Sequence, residues 1–492
     1  MSLLDKMLRI ARTWSINTIN SLVYLGSGGK RVLHEGRFQG WRGTWTNWSR
    51  MFECQPEFFK KPRTEKEICD IVARAEKVRT VGGGHSFNAS PLTNGTLLSL
   101  DDYSELLELR VDSDGNHVAR VQAGIRLRDL TAQLRKQGLA LPVQGSTDAQ
   151  SIGGLIATDV HGTGRDAGFF STQLLSLRIV NAAGEAKTYK KGTPEFHAAI
   201  GGIGACGIVI EAEIQCVPAF NLRKSIQVRK RVDVEAQVDT LLKQHDHLSF
   251  YYIGGVDTES VRMNLWEHTQ DKPSPLYQLR KMMSELEDMV LSGYLLGLAR
   301  LLHLSKLFAN FGLWALKLLQ SNRSQVLPSN EGFPRRLYFH HDELEYGVPF
   351  ENHRRCLHEI LEMLKERRFV TILELRFTPD TSQALLAPGA HRRTCYFDLT
   401  PSLSTDPSEV FAEAERILVK HGGQVHLGKA TWATQETMKQ MYGKWWSQFL
   451  AVRRKQDPKG KFINDFVGRL LAGSEERTPV QEAEEVGMRA AS

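Results

Sequence analysis

The sequence has few cysteines and no long apolar run. Its 492 residues include six cysteines, with no C-x-x-C pair and no Cys/His spacing suited to zinc. We therefore expect reduced thiols, no metal site and a cytoplasmic protein without a disulfide framework. The longest uncharged run of its most apolar region, 289–299, is too short to span a bilayer. The first residues lack an unbroken apolar stretch and a small-residue cleavage site, so no secretory signal is expected.

The chain also has only a small excess of charge of one sign. It carries 63 basic and 56 acidic side chains, for a formal net charge of +7. An excess this small over so large a surface does not favour nucleic-acid binding. The content of 41% hydrophobic and 24% charged residues is ordinary for a globular protein, and the length allows two or three domains.

Residues 50–218 mix helical patterns with short β-type runs. Helical patterns at 64–77 and 126–138 alternate with runs such as 117–124, and glycines stand at the strand ends. This mixture predicts an α+β cofactor domain, preceded by an N-terminal arm at 1–49.

Residues 276–320 are strongly helical by composition and by apolar spacing. These helices could pack on the protein's own core or at a dimer interface, or they could lie in a membrane interface. In a membrane interface, the side chains that face the lipid headgroups would be Arg300, His303, Lys306 and Lys317. Both alternatives stay open, as does the oligomeric state. The polar, acidic tail at 471–492 is expected to be disordered.

Three glycine-rich stretches are candidates for binding phosphate groups. Gly202, Gly204 and Gly207 match G-x-G-x-x-G, but they open an alternating strand and not a helix, so a nicotinamide-binding Rossmann domain is not expected. The stretches 81–86 and 145–164 are rich in glycine and hydroxylated residues. Any single glycine is explained as well by a turn, but two such clusters in one domain favour a dinucleotide site.

Glu374 and Arg376 lie two residues apart in the apolar segment TILELRF. On a strand, residues i and i+2 project from the same face. A buried carboxylate and guanidinium are costly unless they are used or satisfied, so the pair is either a structural salt bridge or part of a site.

Seven motifs occur in the order found in one family of flavoproteins. They are GGGHS at 82–86, GSTDAQSIGG with ATDVHGTG at 145–164, GGIGACGIV at 201–209, HDELEYGVP at 341–349, ELRF at 374–377, HLGK at 426–429 and DPKGKFIN at 457–464. Together they resemble the vanillyl-alcohol-oxidase type of FAD flavoproteins, in its aldonolactone oxidase and alditol oxidase branch. The resemblance extends from about residue 41 to 466.

The resemblance implies an α+β fold with a PCMH-type FAD-binding domain of two subdomains at 50–218. An α+β substrate (cap) domain would follow at 219–470, including the helical insertion at 276–320, and 421–466 would return to the flavin. It implies FAD as cofactor, tethered through His85 to the flavin 8α-methyl group. The implied cofactor-binding residues are Thr80, Val81, Gly82, Gly83, Gly84, His85, Ser86, Gly145, Ser146, Ser151, Gly154, Leu155, Ile156, Ala157, His161 and Ile208.

The resemblance also implies roles at the catalytic end. Glu374 and Arg376 would form the substrate platform, and Lys429 would stabilise the reduced flavin. Ser146 would contact substrate. We add Asp398 as a candidate polar contact with the substrate, because its segment, 394–399, departs from the family pattern. The glycine at position 145 indicates an oxidase, because an added methyl group at this position can block dioxygen.

Three departures separate this chain from the family pattern. Asp159 and Val160 replace a Gly-Thr pair before His161, and Leu427 replaces a tryptophan. The segment 394–399 has no histidine, unlike that of polyol-oxidising relatives. This last difference disfavours a simple alditol as substrate.

The implied function is oxidation of a CH–OH group in a sugar lactone or related alcohol, by hydride transfer to flavin N5. Dioxygen would be the acceptor, giving hydrogen peroxide. The first alternative is a membrane-associated flavin dehydrogenase that uses a quinone or cytochrome. The second is a non-catalytic ligand-binding protein.

Overall fold

A computed structural model describes most of the chain. The described residues are 3–30, 35–166, 168–256, 259–295, 324–380, 382, 384–402 and 406–471, with 307, 311 and 314 as isolated positions. Most of the predicted helical insertion beyond 295, and the predicted disordered tail except Leu471, therefore lie outside the described residues.

The N-terminal arm begins with a long helix, Leu3–Gly26. Three short antiparallel strands follow, Arg37–Gln39, Thr44–Thr46 and Glu53–Cys54. Trp45, in the middle strand, is buried against Val81 and Leu97 of the next unit, which fixes the arm to it.

The cofactor domain contains a small parallel sheet and a larger antiparallel sheet. The parallel sheet has the order Phe58–Lys60, Thr96–Ser99, Val78–Val81. The antiparallel sheet has the order Ala186–Lys190, Leu174–Val180, Ile208–Pro218, His117–Gln122, Leu106–Val111, with Leu139–Ala140 paired to the end of Ile208–Pro218. The helical segments are Glu65–Arg74, Leu127–Lys136, Ile152–Thr158, Phe170–Gln173 and Pro194–Ala199.

An eight-stranded antiparallel sheet dominates the second half of the chain. Its order is Gln325–Pro328, Asn221–Lys230, Ser260–Thr269, His247–Gly254, Thr371–Thr378, Thr394–Thr400, Leu344–Pro349, Gln424–Val425. The helices of this half are Arg231–Ala236, Val238–Gln244, Tyr277–Asp288, Ser329–Gly332, His353–Glu366, Ser408–Lys420, Gln435–Tyr442, Lys444–Gln456 and Asp465–Leu471, with further turns at Met289–Leu295 and Phe350–Asn352. The predicted α+β class is thus confirmed.

The two faces of this large sheet have different chemistry. On one face Phe250, Leu373 and Phe397 pack in an apolar core with helix residues such as Leu364 and Phe411. Because side chains alternate along a strand, their sequence neighbours project from the opposite face. That opposite face is polar, and it lines a cavity.

The end of the chain returns to the cofactor domain. The backbone N–H of Val78 donates to the carbonyl of Lys461 at 3.0 Å, and Phe462 is buried with Ile68 and Val78. The proposed boundaries at 49/50, 218/219 and 470/471 stay predictions. Within the described residues, no helix combines the length and the apolar character needed to cross a membrane.

Candidate active site

Glycine-rich segments line a long cavity in the cofactor domain, which we call the glycine cavity. Its glycines are Gly82, Gly83, Gly84, Gly124, Gly153, Gly154, Gly204 and Gly207. Walls without side chains allow backbone N–H groups to approach an extended anionic ligand closely.

The two glycine clusters predicted from the sequence pack directly on each other. A Cβ atom added at Gly83 would lie 2.3 Å from the carbonyl oxygen of Ala149, and one at Gly82 would lie 2.1 Å from Oγ of Ser151. Both distances are shorter than any allowed contact. The approach of these loops therefore requires glycine.

The G-x-G-x-x-G match contributes to the same cavity in an unexpected way. The interpretation that it opens a strand is correct, since Ile208–Pro218 is a strand. Gly204 and Gly207 nevertheless have positive φ angles of 74° and 123°, and both line the glycine cavity. The sequence argument excluded a Rossmann helix but missed this role.

Arg79 joins three segments around the glycine cavity. Its side chain donates to the carbonyl oxygens of Ser90, Ile203 and Phe462 at 2.6–2.7 Å. Burial lowers the pKa of this guanidinium to about 10. Because Phe462 belongs to the returning C-terminal segment, Arg79 ties that segment to the cavity wall.

A second space, the middle cavity, adjoins the first and shares His85 and Ser86 with it. The ring of Trp48 stacks on His85 with centroids 5.5 Å apart. Lys429, at the other side, forms an ion pair with Glu343. Burial lowers the pKa of Lys429 to about 7, with Asp342 acting in the opposite direction.

The polar face of the large sheet lines a third space, the sheet cavity, which shares Ser146 and Arg376 with the middle cavity. The strand register brings Tyr251, Glu374, Asp398 and Glu345 into one row across four neighbouring strands. Adjacent strands lie about 4.8 Å apart, so three carboxyl groups are close together.

One arginine holds this row of carboxyl groups together. Nη2 of Arg376 donates to Glu374 at 2.7 Å and to Asp398 at 3.3 Å, and its Nη1 lies 3.9 Å from Glu345. Burial acts to raise the pKa of Glu374, but Arg376 outweighs it and the net shift is downward. Burial and the neighbouring Glu345 raise the pKa of Asp398 well above its usual range, against the effect of Arg376. The pKa shifts of Glu374 and Asp398 are thus opposite in direction, so the ionised form is favoured at Glu374 more than at Asp398.

The carboxyl group of Glu345, at one end of this row, forms a buried pair with His161. His161 donates through Nδ1 to the carbonyl of Gly162 at 2.8 Å, and its Nε2 lies 3.1 Å from Glu345. Both ring nitrogens of His161 therefore lie within hydrogen-bonding distance of an oxygen atom. Burial favours the neutral form of Glu345, yet His161 and the other cations lower the pKa of Glu345 to about 2.

The ligand atoms of His161, Glu345 and His426 lie within 4.8 Å of one another, as in a metal site. However, Nδ1 of His426 accepts a hydrogen bond from the N–H of Gly428 at 3.1 Å. The proton of the neutral ring is then on Nε2, which leaves no lone pair for a metal ion. With Arg376 also close, the geometry fits a hydrogen-bonded ion pair better than a metal centre.

The three cavities contain most of the site residues predicted from the sequence. The glycine cavity contains Thr80, Val81, Gly82, Gly83, Gly84, His85, Ser86, Ser151, Gly154, Ala157 and Ile208. The middle cavity contains His85, Ser86, Ser146, His161, Arg376 and Lys429, and the sheet cavity contains Gly145, Ser146, Glu374, Arg376 and Asp398. Leu155 and Ile156 line none of these cavities, since their side chains lie in the apolar core.

Sequence reasoning missed Glu345, Arg335 and Tyr251. Glu345 lies in the motif HDELEYGVP, which was recognised but not assigned a role, although its two glutamates and histidine were a signal. Arg335 and Tyr251 carry no motif. They reach the sheet cavity only through strand order and register.

FAD fits these cavities. A glycine-walled cavity continues through His85 into a middle cavity with a lysine, and then into a charged cavity open to a substrate. An elongated dinucleotide with a ring system at one end matches the first two spaces.

Comparisons with known proteins agree with this arrangement. A model of the FAD binding domain matches residues 56–189, and a model of D-arabinono-1,4-lactone oxidase matches residues 212–470. An L-gulono-1,4-lactone dehydrogenase of Mycobacterium tuberculosis is 30% identical over 87% of this chain and 99% of its own. The L-gulonolactone oxidase of Mus musculus is 28% identical over 88% of this chain and 99% of its own.

Solved structures show the same fold. A solvent-stable cholesterol oxidase superposes with a TM-score of 0.67 at 17% identity, covering 85% of this chain and 95% of its own. A cholesterol oxidase from B. sterolicum gives a TM-score of 0.66 at 14% identity, covering 87% and 96%.

Fold, cavities and matches together define an FAD-dependent oxidoreductase that acts on CH–OH groups. More particularly, the chain belongs to the D-arabinono-1,4-lactone oxidase family, which confirms the resemblance to the aldonolactone oxidase branch.

Proposed function

We propose that this protein oxidises a carbinol carbon of an aldonolactone to a carbonyl. The observation that carries the proposal is the ionised Glu374, held by Arg376 in a cavity that shares Ser146 and Arg376 with the cavity of His85 and Lys429. The lactone follows from the names of the relatives, which include both oxidases and dehydrogenases.

Glu374 takes up the hydroxyl proton of the substrate. Its downward-shifted pKa keeps it ionised, so it accepts a hydrogen bond from the substrate hydroxyl group. Arg376 orients the same group, and Asp398, whose raised pKa favours its protonated form, donates to a substrate oxygen. The O–H proton passes to Glu374 as the C–H bond gives up its hydride and the carbonyl forms. When bound, FAD supplies the acceptor for that hydride.

Lys429 stabilises negative charge in the middle cavity. Its ammonium group is the form that the ion pair with Glu343 favours, and Phe87 lies 5.2 Å from its Nζ at the ring centroid. A cation held in a buried site is an effective electrostatic stabiliser.

His85 is the attachment point of the flavin. It lines both the glycine cavity and the middle cavity, and the stacked ring of Trp48 fixes its orientation. Acid-denatured protein should keep its yellow colour, and its mass should exceed that of the chain by one FAD. Complete release of the flavin on denaturation would refute the tether.

Dioxygen is the electron acceptor. Gly145 lines the sheet cavity, and an added Cβ there would lie 2.7 Å from Cγ1 of Val160. The absence of a side chain at Gly145 keeps the path of dioxygen to the flavin open.

The function is tested by anaerobic mixing of the purified protein with a panel of aldonolactones, alditols and simple secondary alcohols. A lactone should bleach the flavin fastest, and readmitted air should restore the colour with release of hydrogen peroxide. Failure of every lactone to bleach a flavin that dithionite reduces would overturn the proposal.

A specific observation also favours contact with a membrane surface. The helix Leu3–Gly26 buries Thr13, Asn17 and Asn20, whereas Ile19 and Leu22 are exposed. The helix Tyr277–Asp288 likewise buries polar side chains and exposes apolar ones, and we call these two helices inverted. It buries the charged residues Lys281, Glu285 and Asp288 and exposes Leu279 and Met283.

The two inverted helices form one surface. The Tyr24 hydroxyl donates to Glu285 at 2.6 Å, and Trp14 contacts Tyr294 with ring centroids 5.9 Å apart. Further exposed apolar residues on these helices or directly beside them are Leu8, Leu25, Leu276 and Val290. Arg12 and Arg280 are exposed on the same helices, which suits an anionic bilayer.

This contact is tested by sedimentation with phosphatidylcholine vesicles that contain phosphatidylglycerol. Wild-type protein should cosediment, and the variant Leu22→Glu with Met283→Glu should not. Val232→Glu, a change at an equally exposed apolar residue on another helix, is the matched control. If the vesicles do not retain the wild type and the double change instead converts a dimer to a monomer, the face is an interface between copies.

A further inference from the structure

The end of the sheet cavity away from Glu374 has more cationic than anionic side chains. Lys224, Arg335 and Asp288 line this end. Asp288 already accepts two hydrogen bonds from Arg262, at 2.7 and 3.3 Å, and Arg335 lies 3.9 Å from it. Asp288 is therefore shared by Arg262 and Arg335, and Lys224 is the remaining cation at this end of the cavity.

The side chain of Lys224 has no ion-pair partner within 4.0 Å and no hydrogen bond among the residues that the structure describes. Its Nζ lies 5.7 Å from the ring centroid of Trp266. Burial and the nearby Arg335 lower the pKa of Lys224 to about 8, with Glu285 and Asp288 acting in the opposite direction. Lys224 is half-buried, and an unpaired cation there loses part of its hydration without compensation unless a ligand brings an anion.

The next carboxylate along the wall is already engaged. Glu285 accepts from the hydroxyl of Tyr24 at 2.6 Å and from the backbone N–H groups of Arg336 and Leu337 at 3.1–3.3 Å. It also lies 3.9 Å from Lys281. The hydrogen bonds and the nearest cation of Glu285 therefore come from residues other than Lys224.

The strand register places this end at a distance from the reacting carbon. Lys224 pairs with Trp266, whereas Glu374 lies on a strand three positions away in the sheet order. Three strand spacings correspond to about 14 Å across the sheet, and Lys224 lies a further four residues along its strand from Val228, which is the residue in the register row of Glu374. Arg335 bridges the interval, since its Nη2 donates to the hydroxyl of Tyr251 at 3.1 Å, and Tyr251 is the register partner of Glu374.

We propose that Lys224 and Arg335 form a subsite for a carboxylate or phosphate group on the substrate, remote from the carbon that is oxidised. The proposal rests on the proposed function for the identity of the reacting end. It narrows the substrate from lactones in general to lactones that carry an anionic group. It also gives the unpaired lysine a partner.

The subsite is tested with three aldonolactones that share one ring and end in a hydroxymethyl group, a carboxylate or a phosphate ester. Anaerobic flavin bleaching measures kcat/KM for each. A charge-assisted hydrogen bond predicts a preference for an anionic lactone of about tenfold or more. The carboxylate and phosphate arms show which anion the subsite takes.

Variants of Lys224 test whether this lysine causes the preference for anionic lactones. Lys224→Met should reduce the ratio of kcat/KM between anionic and neutral lactones to about one, and Lys224→Arg should retain it. Lys230→Met, at an exposed lysine on the same strand, should keep the wild-type ratio.

The outcomes separate the two proposals. If no lactone bleaches the flavin, the proposed function fails. If the neutral lactone reacts as well as both anionic lactones, only the subsite is wrong. The subsite is also wrong if Lys224→Met slows all three lactones by the same factor.

Discussion

The glycine cavity and the sheet cavity differ in what forms their walls. Backbone from two contiguous segments, 80–86 and 145–164, supplies much of the first. Side chains from five different strands supply the second, and their charges act on one another. The first is a fixed cradle for a cofactor. The second is a set of coupled charges, in which a single substitution changes the protonation of its neighbours.

Glu374→Gln should have the largest effect, because it removes the group that takes up the substrate proton. General-base catalysis typically contributes about 10²–10⁴ in rate, so flavin bleaching should slow by that factor. Stopped-flow absorbance measures it. Glu213→Gln, which alters another Arg–carboxylate pair with a 2.6 Å contact to Arg110, is the control and should leave the rate within about twofold. Near-normal bleaching by Glu374→Gln would remove this residue from the mechanism.

Glu345→Gln should come next, because it leaves His161 and Arg376 buried without their shared carboxylate. Breaking a buried pair costs roughly 3–5 kcal/mol of unfolding free energy. Glu345 has a pKa of about 2 in the folded protein against 4.5 for a free side chain, so its contribution is present above pH 4.5 and is lost as the pH falls through 2. Denaturant unfolding as a function of pH measures both effects.

The variant should therefore be less stable at pH 7 and should show a flatter decline between about pH 4.5 and 2. Glu267→Gln is the matched control, since Glu267 forms a similar but partly exposed pair with His245. It should change the unfolding free energy by less than about 1 kcal/mol. Equal losses in the two variants would mean that burial of the His161 pair is unimportant.

Gly83→Ala should disturb the cradle without changing a charge. The new Cβ would lie 2.3 Å from the Ala149 carbonyl oxygen, and overpacking of this kind costs about 1–3 kcal/mol. The ratio of flavin to protein should fall, as read from the visible and ultraviolet absorbance. Gly40→Ala, where a Cβ meets nothing within 4 Å, should keep a full complement of flavin. If both variants keep it, the close packing of the two loops does not matter for FAD.

Gly145→Ala should have the smallest and most selective effect. We expect slower reoxidation by dioxygen with little change in bleaching by substrate, measured in double-mixing stopped flow. The new methyl group would press on Val160, so Gly145→Ala combined with Val160→Ala keeps the methyl group and relieves the clash. Slow reoxidation in both variants supports a blocked oxygen path. Wild-type reoxidation in both would count against Gly145 as its gate.

The difference between the two cavities also explains what the sequence could predict. The glycine clusters and the Glu374–Arg376 pair were predictable, because their geometry follows from contiguous residues or from strand alternation. Glu345 and Asp398 meet Glu374 only through the register of three separate strands, Leu344–Pro349, Thr371–Thr378 and Thr394–Thr400. Lys224 and Arg335 depend on the order of the whole sheet. The exposed apolar face of the helix Leu3–Gly26 could not be recognised, because an apolar stripe is the pattern that normally predicts a buried face. For Tyr277–Asp288 the sequence left a buried face and a membrane face as alternatives.

The central claim is that the sheet cavity oxidises a lactone carbinol beside the flavin. It is tested most directly by single-turnover bleaching with one aldonolactone, prepared with hydrogen or with deuterium on the carbinol carbon. The account predicts complete bleaching by both forms, measurably slower with deuterium. Absence of bleaching by either form, in protein whose flavin dithionite reduces, would contradict it.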